Sequence, residues 1–116
     1  QDIAECIRFC VANKGKACVS IVETEKPPYW TYQLTCENRL KPILTDRTVL
    51  RRQDAPLTYA LNGAVYVGES EIIKRNGTFL TDETLGYVMP KERSFDIDTA
   101  FDFELVEWIM NKKKDD

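Results

Sequence analysis

A short apolar run, 17-ACVSIVE-23, stands a few residues after a stretch with helical periodicity. Of all the features in the chain, this juxtaposition most restricts the fold. Residues 2–13 place Ile3, Cys6, Ile7, Cys10 and Val11 at i, i+3, i+4, i+7 and i+8, which predicts an amphipathic helix. Gly15 suits the turn that ends it. Apolar side chains in succession, without the alternation of a half-wetted strand, predict for 17–23 a strand buried on both faces. A helix leading directly into such a strand is the rhythm of an α/β layer protein.

Further along, 26-KPPYWTYQL-34 sets two prolines before an alternating Tyr-Trp-Thr-Tyr, and 36-CENRL-40 reads as a turn. The prediction is a hairpin or projecting arm over about 25–45. Residues 44–56 are polar and read as loop or short helix. A second apolar strand is expected in 61-LNGAVYVGES-70, a short helix over 69–75 with 76-NG-77 as its exit, and a last strand in 86-GYVMP-90. The terminal helix, about 100–112, sets Phe101, Leu105, Trp108 and Ile109 on one face, with Thr99 and Asp102 spaced as a capping box. The tail 112-KKKDD-116 reads as a frayed, solvated end.

With 116 residues the chain is one domain's worth of protein, able to bury roughly two-thirds of its unfolded surface. Its net charge of −3 gives no reason for affinity to nucleic acid or anionic membranes. No run is long enough to span a bilayer and no signal-peptide pattern opens the chain. Gln1, not Met, comes first and leads straight into the helix pattern, as in a processed or cut piece. Histidine is absent, which removes histidine-based triads and most zinc arrangements. The four cysteines, Cys6, Cys10, Cys18 and Cys36, contain no C-x-x-C, and Cys6 and Cys10 share the apolar side of the first helix with Ile3, Ile7 and Val11. Cys6 and Cys10 read as core thiols, and reduced cytoplasmic thiols are the default for the four.

Four local features carry polar chemistry, each with a plainer reading. Asp96 and Asp98, in 94-SFDIDT-99, would face one side of an extended segment and suit Mg²⁺, which takes oxygen ligands and commonly shares them with substrate phosphates. On spacing alone the better reading is that Asp98 caps a helix and Asp96 is a surface charge. Arg51, Arg52 and Gln53 could grip a carboxylate or phosphate, or form an exposed basic loop. Asn62-Gly63 permits close backbone approach of a ligand, or is simply a turn. Tyr66 in 64-AVYV-67 could be core.

Taken in order, 51-RRQDAPLTYALNGAVYV-67 and 87-YVMPKERSFDIDTAFDFELVE-107 resemble the C-terminal half of the acylneuraminate cytidylyltransferases, the CMP-sialic acid synthetase family. An R-x-Q-x-x-P element, an N-G-A-hydrophobic-Tyr strand and an S-x-D-I-D-T-x-x-D block stand in the right order. The helix, strand and Glu-x-Pro-Pro loop of 2-DIAECIRFC…CVSIVETEKPPYW-30 are also similar, so the likeness covers nearly the whole chain. The resemblance implies a partial nucleotide-diphospho-sugar-transferase-like (Rossmann-like) α/β layer fold with a projecting β-arm, its N-terminal strands missing. It implies transfer of CMP from CTP to an acidic nine-carbon sugar, with pyrophosphate released. Asp96 and Asp98 would hold Mg²⁺; Arg52 would contact the sugar's carboxylate beside Gln53. Asn62, Gly63, Ala64 and Tyr66 would line the sugar site, and Phe79 and Leu80 would stand near its acyl group. The arm corresponds to the family's dimerisation region, implying a homo-oligomer.

Two departures accompany the likeness. Tyr29 and Trp30 occupy a loop where many sialic-acid members carry lysine, which leaves legionaminate-, pseudaminate- and other nonulosonate-type sugars open. The family's phosphate-cradling Arg-x-Gly-Ser-Lys loop is not in the sequence. The expectation is a piece inactive by itself; the alternative is a non-catalytic sugar-binding or dimerisation module.

Overall fold

A computed structural model describes residues 1–44 and 56–115. They form two compact units: residues 1–22 with 61–116, and residues 23–60.

The larger unit is built on α1 (Asp2–Ala12), β1 (Ala17–Glu23) and β4 (Tyr59–Gly68), followed by α2 (Ser70–Asn76), β5 (Leu85–Val88) and α3 (Ala100–Asp115). The strand order is β4-β1-β5. β1 therefore lies in the middle, as its unbroken apolar run demands: Ala17, Cys18, Val19 and Ser20 are all buried. β5 runs parallel to it, Cys18 opposite Leu85 and Ile21 opposite Val88. β4 runs antiparallel: Ser20 Oγ accepts from the Val65 N–H, and four residues earlier Lys16 O accepts from the Glu69 N–H, four residues later. The sheet is thus mixed, and the α/β class read from the sequence holds.

α1 packs on this sheet through Cys6 and Cys10, which meet Cys18 and Val65, with Phe9, Val67, Leu85 and Tyr87 around them. Phe9 and Tyr87 meet edge to face at 6.0 Å. All three thiols in this core are free; the Cys6 thiol donates to Cys18 Sγ at 3.7 Å, and burial pushes the Cys18 thiol up to about 12. Ile3, Ile7 and Val11 do not join them. They are 64%, 45% and 71% exposed. At 100° per residue the apolar arc of α1 is too wide for one contact, and the helix seats on the side centred between Cys6 and Cys10, leaving the neighbouring aliphatic stripe outside. α1 is tied to the end of β5 by polar contacts instead. Arg93 grips Asp2 through Nε at 2.9 Å and a terminal nitrogen at 3.1 Å, and Tyr87 donates to Glu5 at 2.9 Å.

Gly15 earns its place by contact, not by backbone angle: a Cβ there would fall 2.4 Å from Leu85 Cδ1, while Lys14 takes the left-handed φ of 54°. Gly77 closes α2 as anticipated, with φ 68° and its N–H on the Ile73 carbonyl. On α3, Leu105 and Ile109 are half-buried, but Phe101 and Trp108, assigned to the same face from spacing, are 71% and 61% exposed. Lys112 lies over the Trp108 ring at 5.1 Å.

The smaller unit contains a 3-10 turn at Pro28–Trp30 and the hairpin of β2 (Tyr32–Leu34) with β3 (Leu40–Pro42), paired Tyr32 to Pro42 and Leu34 to Leu40. Asn38, with φ 64°, turns the chain between them. This is the hairpin expected from the aromatic alternation. The polar stretch that includes Arg51, Arg52 and Gln53 lies outside the described residues.

Candidate active site

β4 is not a regular strand. Asn62 and Val65 both point inward, three residues apart, where an uninterrupted strand would separate inward residues by an even number. Gly63, with φ +71° and open space where a Cβ would stand, takes up the odd residue as a bulge. The bulge folds the Asn62 side chain back on its own strand, so that its Oδ1 accepts the Ala64 N–H at 3.1 Å. The same oxygen accepts the hydroxyl of buried Ser20 on β1. Ser20 Oγ in turn accepts the Val65 N–H at 2.9 Å, the bond that the bulge takes away from the regular ladder.

The other end of the Asn62 amide reaches forward. Nδ2 donates to Ser94 Oγ at 3.1 Å and to Met89 Sδ at 3.4 Å. The Ser94 hydroxyl donates its own hydrogen bond to the Pro90 carbonyl at 2.8 Å. Asn62 is 7% exposed and Met89 4%, so this is a buried network. None of the buried side-chain polar atoms among the described residues lacks a partner.

Beyond Ser94 the chain passes without regular secondary structure through Phe95, Asp96, Ile97 and Asp98 into α3. The capping box read from the sequence closes this stretch: the Asp102 N–H donates to Thr99 Oγ1, and Asp102 Oδ2 accepts the Thr99 N–H, both at 3.1 Å. Asp102 Oδ2 also accepts the Asp98 N–H at 3.1 Å, and this bond, chiefly, holds its carboxyl below the ordinary carboxylate value. Thr99, not Asp98, is therefore the side-chain cap. The Asp96 and Asp98 carboxylates are exposed and take no hydrogen bond or ion pair among the described residues. Two open carboxylates fit a hard divalent cation that draws its remaining oxygens from water and phosphate. Among the described residues no group of three His, Cys, Asp or Glu side chains stands ready to hold a metal unaided.

On β4 after the bulge, Ala64 and Tyr66 are exposed on the face opposite Val65. The Tyr66 ring packs against Phe79 with centroids 5.5 Å apart, so two residues singled out thirteen positions apart lie together. Leu80 follows, 49% exposed, in a turn held by Thr84 Oγ1 donating to the Phe79 carbonyl. Sequence reasoning passed over Ser20 and Ser94, since an isolated serine carries no periodicity. The signal that could have found Ser20 is its place as the one hydroxyl inside an apolar strand, where it must be hydrogen-bonded.

No family model matches the chain. Among curated proteins, the N-acylneuraminate cytidylyltransferase of Streptococcus agalactiae serotype V is 33% identical over 101 residues, 87% of this chain and 24% of that protein. This chain is a relative of the acylneuraminate cytidylyltransferases. A cytidylyltransferase of the same name from Escherichia coli O18:K1:H7 is 30% identical over 101 residues. The CMP-N,N'-diacetyllegionaminic acid synthase of Campylobacter jejuni is 25% identical over 95 residues, 82% of this chain and 40% of that protein. The chain thus spans about a quarter of the length of the streptococcal cytidylyltransferase and two-fifths of the Campylobacter one. No helix among the described residues is long and apolar enough to cross a membrane.

Proposed function

We propose that this chain supplies the metal-binding and acidic-sugar side of a CMP-nonulosonate synthetase site. The observation that carries the reading is the open Asp96–Asp98 pair, its carboxylates without hydrogen bond or ion pair among the described residues yet its segment anchored on both flanks, in a relative of the cytidylyltransferases. In the reaction the sugar's anomeric hydroxyl attacks the α-phosphorus of CTP. A phosphorus–oxygen bond to the sugar forms, the bond from the α-phosphorus to the bridging oxygen breaks, pyrophosphate departs, and the hydroxyl proton passes to a base or water. Mg²⁺ held by Asp96 and Asp98 would offset charge on the triphosphate during this in-line displacement.

The sugar lies on the exposed face of β4, along Gly63 and Ala64, with the Tyr66 hydroxyl offered to it. Phe79 and Leu80 form the apolar wall for its acyl group; Arg52 and Gln53, which the resemblance assigns to its carboxylate, lie outside the described residues. The CTP base and the bulk of the triphosphate fall to residues outside this sequence, so the chain alone does not turn over. The arm of about residues 25–45 is the contact through which it assembles as an oligomer, in the cytoplasm.

The test is CMP-sugar formation from CTP and a panel of nonulosonates with Mg²⁺. The chain is assayed alone and as a chimera in place of the 101 residues it matches in the S. agalactiae protein. Activity is expected from the chimera only, and is lost on Asp96→Ala or Asp98→Ala. A chimera that folds, by circular dichroism and gel filtration, yet forms no CMP-sugar from any nonulosonate overturns the reading. Turnover by the chain alone overturns the claim of dependence.

A further inference from the structure

Asn62 stands beside the residues to which the sugar is assigned, but its bonding points elsewhere. A carboxamide offers two donor hydrogens and an acceptor oxygen with two lone pairs. Here Oδ1 is filled by the Ser20 hydroxyl and the Ala64 N–H, and Nδ2 by Ser94 Oγ and Met89 Sδ. No capacity is left for a ligand unless one of these bonds is surrendered inside a buried site, where a lost partner is not replaced by water. What Asn62 does reach is the segment that carries the two carboxylates. Ser94 lies two residues before Asp96, at most about 7 Å away along the chain. It is fixed twice, by Asn62 and by its own bond to the Pro90 carbonyl. Met89 is fixed beside it through its N–H to the Ile21 carbonyl at 2.8 Å. On the far side, Asp102 holds the Asp98 N–H. Only Phe95, Asp96 and Ile97 lie between the two holds.

We infer that Asn62 is a positioning residue: acting through Ser94, it anchors the upstream end of the Asp96–Asp98 segment and sets where the two carboxylates stand, without contacting substrate. A divalent cation rewards this, because two carboxylates on a loose segment must be ordered at the moment of binding, whereas two on a segment held at both ends are already ordered. The metal role of the pair rests on the function proposed above; the anchoring does not.

The experiment uses this chain, with Ser94→Ala, Asn62→Ala, the double variant and Ser94→Thr, which keeps the hydroxyl. Two quantities are read: hydrogen exchange of the backbone amides of residues 95–98, and binding of Mn²⁺ alone, followed by water-proton relaxation. Ser94→Ala and Asn62→Ala should each speed exchange at 95–98 roughly tenfold and weaken Mn²⁺ about fivefold. The double variant should be no worse than the more affected single one, and Ser94→Thr should stay within twofold of the parent. Unchanged exchange in Ser94→Ala, or effects that multiply in the double variant, would overturn the inference. If Asn62→Ala fails to fold, Ser94→Ala against Ser94→Thr decides by itself. If exchange responds as stated but the parent chain shows no Mn²⁺ binding, the anchor stands and the metal assignment for this chain falls.

Discussion

Replacing Ser20 by alanine deletes a single hydroxyl and should be felt across the sheet. The residue is 2% exposed, and its oxygen both donates to Asn62 Oδ1 and accepts the Val65 N–H. Alanine leaves the Val65 N–H buried without an acceptor, a cost of about 2 kcal/mol. Asn62 Oδ1 retains the Ala64 N–H, so its loss is that of one hydrogen bond, about 1 kcal/mol. The sum of about 3 kcal/mol is a large share of the roughly 5–15 kcal/mol that holds a domain folded. For a chain of 116 residues the unfolding entropy near the midpoint is about 0.24 kcal/mol per kelvin, so the melting temperature should fall by about 12 °C. In urea the midpoint should drop by about 1.5 M with the slope unchanged. Thr78→Ala is the control, since it deletes an exposed hydroxyl that accepts the Leu80 N–H, and it should cost under about 0.5 kcal/mol. If Ser20→Ala unfolds within about 0.5 kcal/mol of the parent chain, the bulge is not held by this hydroxyl, and the account of β4 given above is wrong.

Other consequences are as direct. Gly63→Ala meets no neighbour but must hold φ +71°, so it should cost about 1 kcal/mol in urea unfolding; more than about 3 kcal/mol would reveal a contact this geometry excludes. The docking of α1 on β5 should depend on pH from both sides. Arg93 holds Asp2, and Tyr87 holds Glu5, below their ordinary values, so what they contribute is present above about pH 4–5 and lost as pH falls through the lowered values. Glu5 pushes Tyr87 up to about 12 from its ordinary 10, so that contribution is whole below pH 10 and lost as pH rises toward 12. Melting temperatures across pH should show both limbs, and Arg93→Met should flatten the acid one; an unchanged acid limb would remove Asp2 from the argument. Ile3→Ser and Val11→Ser, on the exposed stripe of α1, should each stay within about 0.5 kcal/mol of the parent by urea titration. A loss above about 1 kcal/mol would mean that the stripe is buried in solution.

Periodicity made the elements legible. β1 falls on 17–23 as read, α1, β4, α2 and β5 lie within one or two residues of their expected places, and Thr99 with Asp102 forms the box that their spacing announced. Which side of a helix faces the core was harder. Five apolar positions on α1 cover more arc than one sheet contact uses, and only the partner surface decides that Cys6 and Cys10 go in while Ile3 and Val11 stay out. Motif spacing picked out Asp96 and Asp98 as candidates but left open whether Asp98 was a cap. The hydrogen bonds answer that, because Thr99 takes the role. The tie from Asn62 to Ser94 spans 32 positions and joins two polar residues with no pattern in common, so only the fold could bring it to view.

The bulge at Gly63 also bears on how this strand could vary by descent. Upstream of it the one inward residue of β4, Asn62, is even-numbered, and downstream Val65 and the partly buried Val67 are odd. A substitution at Gly63 alters an angle; a one-residue deletion there would remove the odd residue and leave Asn62 and Val65 two apart, the spacing of an uninterrupted strand. With Val65 kept in the core, Asn62 would still face inward, but the bulge that folds its side chain back onto the Ala64 N–H would be gone. The extra residue between Asn62 and Val65 therefore sets how Asn62 is presented, not which face of the sheet it takes.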